Sequence, residues 1–395
     1  MLLNRERLDD LLTRYALDAV VATTPENVTY ASGYWALSQW IRRGPQTYVL
    51  LPARGRTEPV IIASTSLLDL LADQDVWIGK VRRFGYFWAD RTDPSTFEEC
   101  ERRQASLYDL ADDKDALSSL VAAIREAGLE RARIAVDELG LLPGYFDRLK
   151  EQLPNASLTA GHALLRQVRA VKTEEEVRRL KRAAHIAERS VEAALAVARP
   201  GASEAELATA FHRQTVVEGG LPVLGCIGFG RRSAMPNVMP SSAQLERGDV
   251  IRFDVGGRFE HYRADIARIA TLGEPSKKVE RYYRALHEGV LRGYELIRPG
   301  VRCADVFEEV VETVRGAGIS HYQRSHVGHG IGIDGYDLPD ISAGSCDVFE
   351  AGMVLCVETP YYELGWCGLQ VEDMVVVREN GIETLMTTDG SLRIV

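Results

Sequence analysis

The spacing of hydrophobic positions changes character along the chain, and those changes outline its organisation. Between Arg5 and Tyr15 leucines recur at helical spacing. Four short apolar runs follow and read as strands: DAVVAT (Asp18 to Thr23), TYVLLP (Thr47 to Pro52), PVIIAS (Pro59 to Ser64) and RIAVDE (Arg133 to Glu138). Strands alternating with helices predict an α/β domain built around a largely buried sheet. Near residue 165 the pattern changes. Thr173 followed by Glu176 makes a capping box, and a long amphipathic helix then runs until Pro200-Gly201 stops it. Ser203 and Glu206 repeat the device for a second helix through His212 and Val217. After Gly219-Gly220 the chain is strand-rich, interrupted by predicted helices from about Lys277 to Ile297 and from Ala304 to Ala317. The reading is an α/β domain over residues 1–165 and an α+β domain over 166–395, as a chain of 395 residues also suggests.

Composition narrows the classes. An apolar fraction of 46% and a charged fraction of 26% are those of an ordinary globular protein, and a net charge of -10 argues against nucleic acid as a partner. The basic residues of RQVRAVKTEEEVRRLKRAA are interrupted by three glutamates and read as a solvated helix face laced with ion pairs. No apolar run approaches the roughly 18 residues of a membrane span. MLLNRERLDDLL puts charges where a signal peptide needs its apolar stretch. Cys100, Cys226, Cys303, Cys346, Cys356 and Cys367 are scattered without a C-x-x-C pair, which suits a reducing cytoplasm better than a disulfide framework.

Candidate chemistry concentrates after residue 248. In GDVIRFDVGG, Ile251, Phe253 and Val255 alternate with Arg252 and Asp254, so Asp254 points away from the apolar face. A hairpin turning near Phe259 and Glu260 would set Asp265 roughly opposite Asp254, and two like charges there are destabilising unless a cation lies between them. His329 sits among Gly328, Gly330 and Gly332, which let backbone approach closely. Glu358 ends one apolar run, MVLCVE, and Glu372 lies inside another, LQVEDMVVV, where an unpaired carboxylate is costly. Four carboxylates and one imidazole form an oxygen-rich, hard ligand field suited to Mn²⁺, with Co²⁺, Zn²⁺ or Fe²⁺ as alternatives. Gly330, Gly332 and Gly335 also satisfy G-x-G-x-x-G, but no long helix can begin before Pro339, so a dinucleotide site is dismissed. His326 is read either as a contact to a ligand side chain or to substrate, or as a surface or turn histidine.

The order Asp254, Asp265, Gly-His329-Gly, Glu358, Glu372 resembles the metallopeptidases of the pita-bread fold: methionine aminopeptidase, aminopeptidase P, prolidase and their non-peptidase relative creatinase. RLDDLLTRYALDAVVATTPENVTYASGY resembles the creatinase-type N-terminal domain, so the likeness covers nearly the whole chain. The resemblance implies two divalent ions. Asp254 would chelate one, Asp265 and Glu372 would bridge both, and His329 and Glu358 would hold the other. Glu358 would also relay a proton from a metal-bridging hydroxide to the leaving nitrogen. Relatives specific for proline usually carry histidine at Asn237 and His-Glu at Tyr336-Asp337; here only the amide and the hydroxyl can donate to a developing oxyanion. Trp35 and Trp40 lie on a loop that in related dimers approaches the partner's site, but they are read here as packing residues. The expectation is a cytoplasmic, homodimeric Xaa-Pro dipeptidase or aminopeptidase P-like enzyme acting on small peptides. The alternatives are a small-molecule C–N hydrolase or lyase on the same scaffold, or a non-catalytic binding protein.

Overall fold

The computed structural model describes residues 1–41 and 46–395. The chain divides into two compact units, Met1–Arg169 and Ala170–Val395. The change of pattern near residue 165 falls within the helix His162–Ala170, which spans that division.

The first unit is built on a seven-stranded mixed sheet. Its order is Asp112–Asp113, Lys80–Phe84, Val60–Ser64, Tyr48–Pro52, Ala19–Ala22, Arg133–Val136 and Ser157–Ala160. The four runs singled out by their apolarity form its middle, and three of them are buried from end to end, as strands covered on both faces must be. The three strands that sequence missed, Lys80–Phe84, Asp112–Asp113 and Ser157–Ala160, lie toward the edges and carry charged or polar side chains. Leu117, Leu120 and Ile124 of the helix Ala116–Glu126 pack with Val21, Leu50, Ile62 and Ile134. The tryptophan loop is tied down locally: Gln74 bonds the backbone of Trp35, and the Trp40 indole N–H donates to Thr29 Oγ1 at 3.1 Å.

In the second unit both capping boxes form. Thr173 and Glu176 start the helix Glu174–Leu195, and Ser203 and Glu206 start Glu204–Val217. A ten-stranded sheet follows, almost wholly antiparallel. Its central order is Tyr262–Arg263, Val250–Phe259, Ile266–Thr271, Glu372–Arg378, Val354–Glu358, His326–Gly330 and Asp337–Ser342. Leu355, Val357, Val375 and Val377 pack with Val310 and Val314 of the helix Cys303–Gly316 and with Leu286 and Val290 of Lys277–Leu296. Cys356, Glu358 and Glu372 take the alternate positions of those strands and therefore face the other way.

Two local expectations need correction. The hairpin turns at Glu260 and His261, one residue later than the sequence suggested, and both have positive φ, 45° and 76°. That is the signature of a type I′ turn, here built without glycine or asparagine. Asp254 consequently pairs with Ala267 and Val255 with Ile266, so Asp265 lies diagonal to Asp254 rather than opposite it. Glu372 opens its strand instead of sitting inside it.

Candidate metal centre

The side chains converge because five adjacent strands present one face. Asp254 comes from the Val250–Phe259 strand, Asp265 immediately precedes Ile266–Thr271, and Glu372, Glu358 and His329 come from the next three. Glu358 and Glu372 are direct cross-strand partners. One oxygen each of Asp254, Asp265 and Glu372 lie within 4.8 Å of one another. So do ligand atoms of His329, Cys356 and Glu372, so Glu372 belongs to both groups. The backbone comes close where the glycines were expected to allow it: a Cβ on Gly328 would overlap the carbonyl of Cys356, and one on Gly330 the carbonyl of Leu338.

His329 is almost wholly buried, and its Nδ1 lies 3.0 Å from the carbonyl oxygen of Gly330. A carbonyl can only accept, so Nδ1 carries the proton and Nε2 keeps its lone pair. That lone pair faces Glu372 Oε1 at 3.9 Å, two acceptors across a gap that suits a cation. Burial also pushes the His329 pKa down, favouring the neutral ligand form. Oδ1 of Asp265 is buried without a hydrogen-bond partner among the described residues.

The electrostatics are those of crowded carboxylates. Burial, and then repulsion from Asp254 and Glu358, hold Asp265 well above the ordinary range. Glu372 is raised in the same way by burial and by Asp265 and Glu358. Asp254 is pushed to about 6, again chiefly by burial, against the pull of Arg252. Glu358 is the exception. Burial raises it, but the His326 ring, with Nε2 2.8 Å from Oε1, together with Arg324 and His329 outweighs that and holds its pKa low. His326 is thus a direct partner of Glu358. The ring of Tyr336 stacks on that of His329, centroids 4.0 Å apart, and the residue is 59% exposed. Asn237 is also exposed, and no hydrogen bond joins it to the cluster among the described residues.

Cys356, Arg252 and Gln370 belong to the site and were not singled out from sequence. Arg252 donates to Asp254 at 3.0 Å, and the Gln370 amide nitrogen lies 3.2 Å from Glu372. A charge between Ile251 and Phe253, on the face already assigned to Asp254, was the available signal for Arg252.

Residues 178–379, just over half of the chain, match the model of metallopeptidase family M24. The chain belongs to metallopeptidase family M24. Residues 4–171 match the creatinase/prolidase N-terminal domain. This M24 chain is 28% identical over 224 residues to an uncharacterized peptidase of Staphylococcus aureus, covering 56% of this chain and 64% of that protein. It is 30% identical over 231 residues to the Xaa-Pro dipeptidase of Pyrococcus furiosus, covering 58% and 66% respectively. The matches thus span less than two thirds of these relatives' own lengths. In fold it is similar to the X-Pro aminopeptidase of Thermotoga maritima, with TM-score 0.79 and 24% identity over 97% of this chain and 99% of that one. A creatinase-type N-terminal domain followed by a pita-bread domain is therefore the architecture.

Membership of M24 implies divalent metal ions, and the residues present fit them. A partnerless buried carboxylate oxygen, an imidazole with its free lone pair turned inward, and three carboxylates held above their ordinary pKa range are all relieved by positive charge at one place.

Proposed function

We propose that this protein is a dinuclear metallohydrolase acting as a proline-type exopeptidase on short peptides. The observation that carries this reading is the convergence of one oxygen each of Asp254, Asp265 and Glu372 within 4.8 Å, with Asp265 Oδ1 buried and without a partner among the described residues. Asp254, Asp265, His329, Glu358 and Glu372 would hold the ions, and the hard, oxygen-rich donor set favours manganese. Bound there, two divalent ions would supply Lewis-acid polarisation of a scissile carbonyl and lower the pKa of water toward neutrality.

The chain's own residues supply the rest. His326 keeps Glu358 ionised near neutral pH, the state a general base needs in order to accept a proton and return it to the leaving nitrogen. His329 is fixed in one tautomer by the Gly330 carbonyl, so its ring cannot turn away from the cluster. The Tyr336 hydroxyl, carried on a ring stacked against His329, would donate to a developing oxyanion. Asn237 is assigned a similar donor role by the family likeness. By the same family likeness the working form is a cytoplasmic homodimer; no helix among the described residues is long and apolar enough to cross a membrane.

A second reading, a small-molecule C–N hydrolase or lyase, is favoured by one observation: neither Asn237 nor Tyr336 carries an imidazole to shuttle protons. Incubating Mn²⁺-loaded protein with Ala-Pro, Gly-Pro and a longer Xaa-Pro peptide separates the two. Release of the N-terminal residue supports the peptidase; inactivity on all three, with ions bound, removes it.

A further inference from the structure

Arg252 is fully buried, an expensive place for a charge unless every donor is used. All five are. Nε donates to the carbonyl of Ser233 at 2.9 Å, and Nη2 donates to those of Met235 at 2.7 Å and Pro236 at 2.8 Å. Nη1 donates to Asp254 Oδ2 at 3.0 Å and to Gln370 Oε1 at 2.9 Å. Five N–H groups meet five acceptors, so the fork has no slack.

Gln370 extends the arrangement. Its Oε1 accepts from both Arg252 and the Tyr362 hydroxyl, the latter at 3.1 Å, which fixes which way the amide points. Its Nε2 is left to face Glu372 Oε2 at 3.2 Å and Glu358 Oε2 at 3.5 Å. The guanidinium therefore touches one carboxylate directly and reaches two more through a neutral amide. A second cation at position 370 would compete with bound ions for those carboxylates; an amide orients them and leaves their charge available. The three carbonyls held by the same fork lead directly to Asn237.

We infer that Arg252 is a positioning residue that locks the Asp254 carboxylate and the 233–237 segment into one rigid unit, with Gln370 carrying the clamp on to Glu358 and Glu372. Metal loading and the placing of Asn237 are thereby coupled through a single side chain. The inference rests on the proposed reading that these carboxylates hold ions.

The test uses the 395-residue chain freed of metal by EDTA. Mn²⁺ binding is measured by calorimetry, and backbone hydrogen exchange of residues 233–239 is followed with and without Mn²⁺, for wild type, Arg252→Lys and Gln370→Met. Wild type is expected to show Mn²⁺-dependent protection of that segment. Arg252→Lys keeps the charge but loses the fork; it should bind Mn²⁺ about 10–100-fold more weakly and lose the protection. Gln370→Met should weaken Mn²⁺ binding and leave exchange at 233–239 unchanged. Wild-type affinity in either variant, or undiminished protection in Arg252→Lys, overturns the clamp. Should Arg252→Lys fail to fold by circular dichroism, the affinity of Gln370→Met decides alone. Wild type that binds no divalent ion refutes the metal reading instead. In that event the clamp still stands or falls on whether Arg252→Lys speeds metal-free exchange at 233–239.

Discussion

Replacing Asp254 with asparagine should stabilise the metal-free protein, although the residue is a proposed ligand. Burial and the neighbouring Glu358 push its pKa from 3.8 to about 6 against the pull of Arg252. A folded-state pKa above the unfolded one means that stability is complete below about pH 4 and is lost as pH rises through about 6. A pKa raised by about two, at about 1.4 kcal/mol for each tenfold change in proton affinity, costs roughly 3 kcal/mol at neutral pH, part of it shared with the neighbouring carboxylates. Asparagine keeps an oxygen for Arg252 and offers an amide to the remaining carboxylates. In EDTA at pH 7.5, Asp254→Asn should therefore gain about 2–3 kcal/mol in urea denaturation followed by circular dichroism, and the gain should vanish near pH 4. Mn²⁺ at about a thousand times its Kd should reverse the order, since it adds about 4.1 kcal/mol to wild type alone. A variant less stable than wild type in EDTA at pH 7.5, or one whose advantage persists at pH 4, would refute the claim that this carboxylate is held under strain.

Two further outcomes follow from the geometry. His326→Ala removes the group holding Glu358 low, so its pKa rises and the acid limb of the kcat/KM profile should move to higher pH; an unmoved limb contradicts the role given to His326. Tyr336→Phe keeps the stack on His329 but deletes the hydroxyl, and should lower kcat by roughly 10²–10³-fold with Mn²⁺ affinity unchanged, measured by steady-state kinetics beside calorimetry.

Much of the architecture could be read from the chain because its signals are local. Both capping boxes form where Thr173–Glu176 and Ser203–Glu206 stand, and the fully buried strands are the runs with no polar interruption. The candidate ligands stood out because a carboxylate such as Glu358 is conspicuous at the end of an apolar strand. Register was harder. Glu260 and His261 adopt left-handed backbone without the residues that normally announce it, and that one-residue error moved Asp265 from diagonal to opposite. Gln370 and Cys356 were invisible for another reason: their meaning depends on Arg252 and His329, which reach them only across the assembled sheet.

That dependence bears on when the centre comes into being. Arg252 and Gln370 are 118 positions apart, and strand parity decides which way every donor faces, so a slip of one residue in any of the five strands turns its donor to the opposite side. A nascent or half-folded chain offers no such nest. Ion uptake can begin only once the last strand has docked, and it would then shut the door behind the finished domain, drawing the folding equilibrium toward completion.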